Sequence, residues 1–298
     1  MARTKKTTTE ANEVMETSTK KFNPNEEWYG VKMWFIQPLL GSLPGSEKLR
    51  TEWIASKAPD AATMEDELLQ TSVEHLIDRG TNVFARRSKT GNPTLMAYTI
   101  RGYYKEAVTA FKRSLGNGSS FCTNHKTKIA GNVVLRPNYI DLQLPEEVTG
   151  EMTEEEFKEN GFGHYEVIKF PKEGRFQGVR LRANERPLQA ETAQGKITAI
   201  AASEQAPAGT SIEYKVCFEL APKEMKEFRD GIFQIILRGE RHGTGQWRGS
   251  GLVGCFVAEI RDESGNIVAE NTSEVIGVTS DDPAFKQRLW EYIDDNSL

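Results

Sequence analysis

Residues 222–260 read PKEMKEFRDGIFQIILRGERHGTGQWRGSGLVGCFVAEI, a stretch in which a helical pattern, a glycine-rich run and a strand-like run follow one another. In its first half, apolar side chains recur at helical spacing between Pro222 near the start and Gly239 as a stop: Met225, Phe228, Ile232, Ile235 and Ile236. The end of the stretch, LVGCFVAEI, is β-branched and aromatic and predicts a strand. The unit is therefore helix, glycine-rich loop, strand. It is neither a P-loop, which ends in Gly-Lys-Ser/Thr, nor a dinucleotide-binding loop, which follows a strand.

The loop in this unit holds glycines at 239, 243, 245, 249, 251 and 254 among basic and aromatic side chains. Glycines let backbone N–H groups approach a phosphate, arginines supply planar donors, and a tryptophan offers a stacking face. We therefore predict a polyanion-binding loop that includes Arg238, Arg241, His242, Trp247 and Arg248. A flexible turn is the alternative, although a simple connection is usually about 4–6 residues long and needs fewer glycines.

Strands outnumber helices in the chain as a whole. Aromatic and β-branched runs predict strands over 28–41, 81–86, 94–100, 133–137, 138–144, 166–171, 176–184, 196–204 and 210–220. Helical spacing predicts helices over 46–60, 63–80, 101–116, 222–238 and 281–295. This order favours an α+β fold that is ferredoxin-like (RRM-like) at its centre, with helices on one face of an antiparallel sheet and large insertions. The acidic residues 145–165 are predicted to form one insertion.

The helix predicted over 101–116 carries Arg101 and Lys105 in its first turn. Cations at that end oppose the helix dipole, so a role other than helix stability is indicated, and an anion bound at the same end is one such role. The following residues, 117–132, are predicted to be a polar loop that adds Lys126 and Lys128.

The net charge of −5 hides an uneven distribution. Residues 79–261 contain 27 Lys and Arg against 21 Asp and Glu, although the stretch 146–159 is strongly acidic. A basic groove can therefore coexist with an acidic chain, because the local patch is what attracts phosphate. An even mixture of solvated charges is the alternative. The basic clusters are Arg86/Arg87, Arg101/Lys105, Lys112/Arg113, Lys126/Lys128, Arg180/Arg182/Arg186 and Arg238/Arg241/Arg248.

The cysteines and histidines show no spacing typical of a disulfide framework or a metal site, so no metal or other cofactor is expected. Cys217 and Cys255 lie in strand-like runs and are expected to be small core residues. No apolar run approaches the roughly 18 residues of a membrane span, and no signal peptide is recognisable. The protein is therefore expected to be cytoplasmic, with a disordered leader over 1–26 that is poor in large apolar side chains.

Four stretches resemble, in chain order, the RAMP superfamily, the ferredoxin-like RNA-binding proteins that include the backbone subunits of CRISPR effector complexes. They are PLLGSLPG (38–45), AYTIRGYYKEAVTAF (97–111), RPLQAETAQGKITAIAASEQAPAGTSIEYKVCFEL (186–220) and GTGQWRGSG (243–251). The resemblance covers about residues 28–261, and its most specific parts are APAGTSIEYKV and the glycine-rich loop. It implies a palm-like, RNA-gripping domain over 27–261, a thumb-like hairpin over 175–205 and a C-terminal extension over 262–298 that contains a short helix.

The resemblance also implies contacts to nucleic acid at the matching positions, which are Gly41, Ser42, Gly45, Arg101, Gly102, Lys105, Gly243, Gly245, Arg248 and Gly251. The basic and aromatic pattern adds Lys126, Lys128, Arg182, Arg241 and Trp247 as candidates. The sequence departs from the family in two places. Leu252-Val253 stand where the family has a glycine-arginine step, and GSLPGSEK (41–48) lacks the aspartate that RNA-cleaving members use.

We therefore expect a non-catalytic protein that binds single-stranded nucleic acid, with RNA favoured over DNA, as a homo-oligomer along the strand or as a subunit of a larger ribonucleoprotein. Two alternatives stay open. One is a partner-binding protein that keeps the fold without a strand, such as a bacteriophage-encoded accessory or antagonist of a CRISPR complex acting in the host cytoplasm. The other is an RNA endonuclease, in which His125 with Lys126, or His242 beside Arg241, acts as acid or base.

Overall fold

The computed structural model describes residues 26–44, 82–87, 90–115, 121, 123–170, 178–192, 195–219, 222–244 and 254–296. The expected leader, the two helices predicted within 46–80 and most of the glycine-rich loop lie outside these residues. Within them the chain forms helices and mainly antiparallel sheets, so the predicted α+β class is confirmed.

Sixteen strands are present in the part of the chain that the structure describes. They are β1 Glu26–Phe35, β2 Leu39–Leu40, β3 Leu43–Pro44, β4 Asn82–Val83, β5 Ala85–Arg86, β6 Pro93–Met96, β7 Val133–Arg136, β8 Tyr139–Asp141, β9 Thr149–Glu151, β10 Val167–Lys169, β11 Val179–Leu181, β12 Ala183–Thr192, β13 Gly195–Ala206, β14 Ser211–Glu219, β15 Phe256–Arg261 and β16 Ile267–Glu270.

Six α-helices lie in the same ranges, together with a 3₁₀ turn at Glu146–Val148. They are α1 Ala97–Leu115, α2 His125–Asn132, α3 Glu154–Asn160, α4 Pro222–Ile236, α5 Thr272–Val275 and α6 Phe285–Asn296. None of the described helices is long and apolar enough to cross a membrane.

The main sheet has five strands in the order β16, β15, β1, β14, β7, and every neighbouring pair is antiparallel. Apart from the edge strand β16, its strands and the two long helices follow one another as β1, α1, β7, β14, α4, β15. This β-α-β-β-α-β order is that of ferredoxin-like domains. The other three sheets, one of which also has five strands, are built from segments between β1 and α1 and between β7 and β14.

One face of the main sheet, the helix face, packs against α1 and α4. Alternate residues of a strand point to the same side, and on this side the three central strands contribute a continuous apolar layer: Val31, Met33, Phe35, Ile212, Tyr214, Val216, Phe218, Phe256, Ala258 and Ile260. All five apolar residues predicted from the helical spacing of α4 are buried against this layer. The helix ends at Ile236, two residues before the predicted end at 238, and Gly239 follows in close contact with Phe256, since a Cβ there would collide with the ring.

The opposite face, the outer face, is covered by α6 at one end. Trp34 and Val257 of the sheet pack with Phe285, Leu289 and Ile293 of this helix, and the rings of Trp34 and Phe285 meet edge to face at 4.8 Å. The helix predicted over 281–295 is therefore confirmed, with its start at Phe285.

The first strand is shorter than predicted. The β1 ladder ends at Phe35, and Leu39 and Leu40 pair instead with the end of β13. The reason is local, because Pro38 has no N–H to continue a ladder. Cys217 and Cys255 are both buried, as the sequence predicted.

The long strands β12 and β13 form an antiparallel hairpin from Ala183 opposite Glu204 to Thr192 opposite Gly195. This hairpin lies within the segment expected to be thumb-like, a role that stays a prediction. At its base the buried carboxylate of Glu204 accepts hydrogen bonds from the Arg86 guanidinium and from the Phe84 N–H. Burial raises the pKa of Glu204, and Arg86 opposes that shift.

The acidic insertion predicted over 145–165 contains β9 and α3, and β9 joins a three-stranded sheet with β10 and β11, which follow the insertion in the chain. A capping box of Thr153 and Glu156 begins α3. The guanidinium of Arg180 lies over the rings of Phe157 and Phe170, at 4.8 and 5.3 Å from their centroids. The insertion is therefore folded, with the acidic side chains of α3 exposed: Glu154, Glu155, Glu156 and Glu159.

Candidate nucleic-acid interface

Helix α1 begins at Ala97, four residues before the predicted start. Its first N–H, that of Ala97, donates to the carbonyl of Asn138 at 2.8 Å. The strand predicted over 94–100 was therefore wrong in its second half, because the apolar spacing of the helix runs through AYTI and outweighs the β-propensity of Tyr, Thr and Ile. Arg101 thus lies in the second turn rather than the first, which weakens the argument from the helix dipole. The buried residues that set this spacing are Ala97, Ile100, Tyr103, Tyr104 and Ala107.

Three elements bring four cations together in what we call the basic cluster: Arg101 and Lys105 of α1, Lys126 of α2 and Arg136 of β7. Burial lowers the pKa of Arg101, and the charge of Arg136 lowers it further. Burial also lowers the pKa of Lys105, and the nearby charges of Arg101 and Lys126 lower it further. Three neighbouring pairs therefore repel each other: Arg136 with Arg101, Arg101 with Lys105, and Lys105 with Lys126.

None of these four side chains forms an ion pair with a carboxylate among the residues that the structure describes. Arg136 donates to the side-chain oxygen of Asn138 at 3.0 Å, and the buried Nε of Arg101 has no hydrogen-bond partner. Mutual repulsion without a counter-charge is relieved when an anion binds, and phosphate oxygens suit guanidinium and ammonium donors. The basic cluster can therefore hold an anion.

Helix α2 occupies part of the segment predicted to be a polar loop, so that prediction was wrong for 125–132. The helix is short, begins after Asn124 in a left-handed conformation, and has a single buried residue, Ile129, so its sequence shows no apolar period. Its position is fixed on α1, because Nε2 of His125 lies 3.1 Å from Oγ1 of Thr109. Lys128, also predicted as a contact, is held by Glu224 at 3.3 Å.

Arg136 was missed by sequence reasoning. It is the last residue of β7, and the register places it opposite Lys215 of β14. A signal was available, since an arginine that alternates with buried Val133 and Leu135 must point away from the helix face. The proximity of Arg136 to Arg101, however, depends on how α1 packs beside the edge strand.

The first residues of the glycine-rich loop pack against α1. His242 stacks on Tyr103, with ring centroids 6.1 Å apart, and meets the edge of Phe111 at 5.6 Å. The guanidinium of Arg238 lies over the ring of Phe111, 5.0 Å from the ring centroid. Burial lowers the pKa of His242, and Glu106 opposes that shift. Gly243 is buried.

Other candidate contacts are engaged elsewhere. Arg241 is exposed and pairs with Glu240 at 3.0 Å. Arg182 donates to the carbonyls of Gly163 and Tyr165 in the acidic insertion. The charges of Arg86 and Arg87 are paired with Glu204 and Asp141.

Glycine is required at position 41 by packing, since a Cβ there would lie 2.7 Å from the carbonyl carbon of Val83. Ser42 is half-buried beside it, and Gly102 is half-buried between the two cations of α1. The remaining candidates lie outside the described residues: Gly45, Gly245, Trp247, Arg248 and Gly251. Their roles, like those of the candidates above, stay predictions.

Among the described residues no group of three or more His, Cys, Asp or Glu side chains is arranged to hold a metal ion.

No protein-family model matches the sequence, and no curated protein matches it. Among solved structures, one chain of a structure described as "Type IV-B CRISPR Complex" is similar at 12% sequence identity, over 86% of this chain and 100% of that chain, with a TM-score of 0.32. At that TM-score we draw nothing about function from the likeness.

Proposed function

We propose that this chain is a non-catalytic protein that binds single-stranded nucleic acid through its backbone, with RNA favoured over DNA. The observation that carries the proposal is the basic cluster, in which none of the four cations pairs with a described carboxylate, the buried Nε of Arg101 has no hydrogen-bond partner, and like charges lower the pKa of Arg101 and Lys105. A polyanion is the ligand that such a cluster attracts, despite the negative charge of the whole chain.

The finer part of the proposal is that the chain is a divergent RAMP-like subunit of a larger ribonucleoprotein, encoded by a bacteriophage. The support for the RAMP-like part is the β-α-β-β-α-β order of the main sheet and the two helices on one face, which the sequence resemblance implies. Assembly along a strand belongs to the same proposal.

A second candidate function is protein binding without a strand. The exposed glutamates of α3 favour it, because they form an acidic surface on a folded insertion. A third candidate function is RNA cleavage. It is favoured by His125, which precedes Lys126 of the basic cluster and whose imidazole is held on α1 by Thr109. The experiment below separates the three.

The test measures fluorescence anisotropy of labelled single-stranded RNA and DNA of about 30 nucleotides over a salt series. Each phosphate contact adds roughly 0.7 to the slope of log K against log salt for single strands. We expect Arg101→Ala, Lys105→Ala and Arg136→Ala each to weaken binding and to flatten the slope by about that amount. Lys158→Ala, which removes an exposed lysine from α3, is the matched control and should leave the slope unchanged.

A wild-type protein that binds neither strand at low salt would remove the proposal and leave protein binding as the leading function. Equal slopes for the wild type and all three cluster variants would remove the basic cluster as the site. Shortening of the probe on a denaturing gel, lost in His125→Ala, would establish cleavage instead.

A further inference from the structure

The outer face of the main sheet carries side chains in rows that cross the strands. The register places Arg136, Lys215, Gly30 and Arg261 side by side on β7, β14, β1 and β15. Adjacent strands are about 4.8 Å apart, so this basic row is roughly 14 Å long. It is the same Arg136 that belongs to the basic cluster.

The neighbouring rows differ in chemistry. On one side, Trp28 of β1 stands opposite Cys217 of β14. On the other side, Lys32 stands between Glu213 and Glu259. An aromatic row, a basic row and a mixed acidic row therefore follow one another along β1, ahead of the end that α6 covers.

A groove of about 710 Å³ lies over Trp28 and Gly30. Its charged lining consists of three cations and three carboxylates: Arg136, Lys215, Arg261, Glu213, Asp262 and Glu263. Its floor is open at Gly30, because a Cβ built there meets no atom within 4 Å. A glycine inside a strand weakens the strand and often marks a place where a ligand approaches closely. Nothing in the packing among the described residues requires this glycine.

The two ends of the basic row are not equivalent. The guanidinium of Arg261 is held by both oxygens of Glu259 at 3.0 Å and by Asp281 at 2.7 Å. Lys215 and Arg136 form no ion pair with any described carboxylate. The groove is therefore positive at its β7 end, which is the end nearest the basic cluster.

We infer that this groove is a nucleotide-binding subsite in which a base of the bound strand stacks on Trp28 above Gly30. Lys215 and Arg136 hold the adjoining phosphates, and the strand continues around the β7 edge to Arg101 and Lys105. This inference rests on the proposed function. Single-stranded nucleic acid is the occupant that fits, because it needs an aromatic face and cations in succession, and stacking tolerates any base.

Charge continuity selects this occupant over a protein segment. Arg136 lines the groove and also lowers the pKa of Arg101, so one polyanion can contact both sites. The exposed carboxylate of Glu213 is placed in the same groove, where it can accept from an exocyclic amino group of a base.

The experiment compares two labelled 30-nucleotide strands of the same backbone, one with bases and one abasic. Trp28→Ala should weaken binding of the strand with bases by about 5- to 150-fold, the range that the loss of one stacked base produces. It should leave binding of the abasic strand unchanged. Trp28→Phe should restore most of the affinity, and Lys158→Ala, on the exposed surface of α3, is the control.

Lys215→Ala provides a second, exposed variant that does not depend on the folding of Trp28→Ala. It should flatten the salt slope by about 0.7 for both strands. Equal affinity of wild type, Trp28→Ala and Lys215→Ala would overturn the subsite. The subsite would also be overturned if Trp28→Ala lowered the affinity for the abasic strand as much as for the strand with bases. That result would mean that Trp28 packs within the protein and does not stack on a base.

Failure of the subsite and failure of the proposed function give different results. Suppose that the wild-type protein binds a strand and that Arg101→Ala and Lys105→Ala weaken this binding. If Trp28→Ala and Lys215→Ala then leave the affinity unchanged, only the subsite is wrong. If wild type binds no strand, both are wrong.

Discussion

The two faces of the main sheet are built from the same strands but differ in burial and in side-chain chemistry. On the helix face of β14, Ile212, Val216 and Phe218 are completely buried against α1 and α4. On the outer face of the same strand, Glu213 and Lys215 are exposed, between Ser211 and Cys217, which are buried at the two ends. The difference shows that one side of the sheet carries the stability of the domain, while the other is free to carry charge for binding.

The outer face itself is divided. At the end near Trp34 it is closed by α6 through a small apolar cluster, and at the end near Trp28 it forms a groove. Between the two ends, Glu259 and Arg261 pair with each other and with Ser280 and Asp281 of the loop before α6. This network separates the covered end from the open one.

The largest difference in stability between the two faces is expected at Phe218, on the helix face of β14. Its ring is fully buried next to Tyr29, Phe228 and Phe233, so Phe218→Ala should lower the free energy of unfolding by about 3–5 kcal/mol. Urea denaturation measures this loss. Lys215→Ala on the other face of β14 is the control and should stay within about 0.5 kcal/mol of wild type. Similar losses in both variants would mean that the faces do not differ as argued.

The covered end of the outer face is expected to contribute less than the helix face. Leu289→Ala should cost about 2–3 kcal/mol, the low end for a buried leucine, because its cluster is small and lies at the end of the sheet. Limited proteolysis should then cut the C-terminal segment faster while the rest of the domain survives. Gln287→Ala, exposed on the same helix, should be cut at the wild-type rate. If Leu289→Ala unfolded as a whole without early C-terminal cleavage, α6 would not be able to detach independently of the rest of the domain.

The open end gives the smallest change in stability and the sharpest contrast with function. Gly30→Ala should raise the free energy of unfolding by about 0.4–1 kcal/mol, because the site has room for a methyl group and the unfolded chain becomes less flexible. The same methyl group narrows the groove floor, so affinity for a strand with bases should fall. Gly131→Ala, at another open position in α2, should not reduce affinity. A more stable Gly30→Ala with undiminished affinity would argue against a ligand at Gly30.

Several features followed from local pattern. The helix α4 with its five buried residues, the strand β14, the helix α6 and the α+β class were all predicted from apolar spacing. The helix α2 was not predicted, because a polar octapeptide with one buried residue has no apolar period. The start of α1 was not predicted either, because the β-propensity of AYTI obscured the apolar spacing that runs through it. For the same reason, Arg101 and Lys105 were recognised as candidates while their position along the helix was misjudged.

By itself, the sequence determined which residues are apolar at which period, and therefore which side of each strand and helix is buried. It also determined that basic residues cluster in the middle of an acidic chain. Only the tertiary structure decided which cations stand together, because Arg101, Lys126 and Arg136 come from two helices and a strand and meet only once the chain has folded. The strand register decided the rest, since it placed Arg136, Lys215 and Gly30 in one row across positions as distant in the chain as 30 and 215. The alternation of side chains between the two faces of a strand is a local property of the backbone. Which residues become neighbours across a sheet depends on how the strands pair.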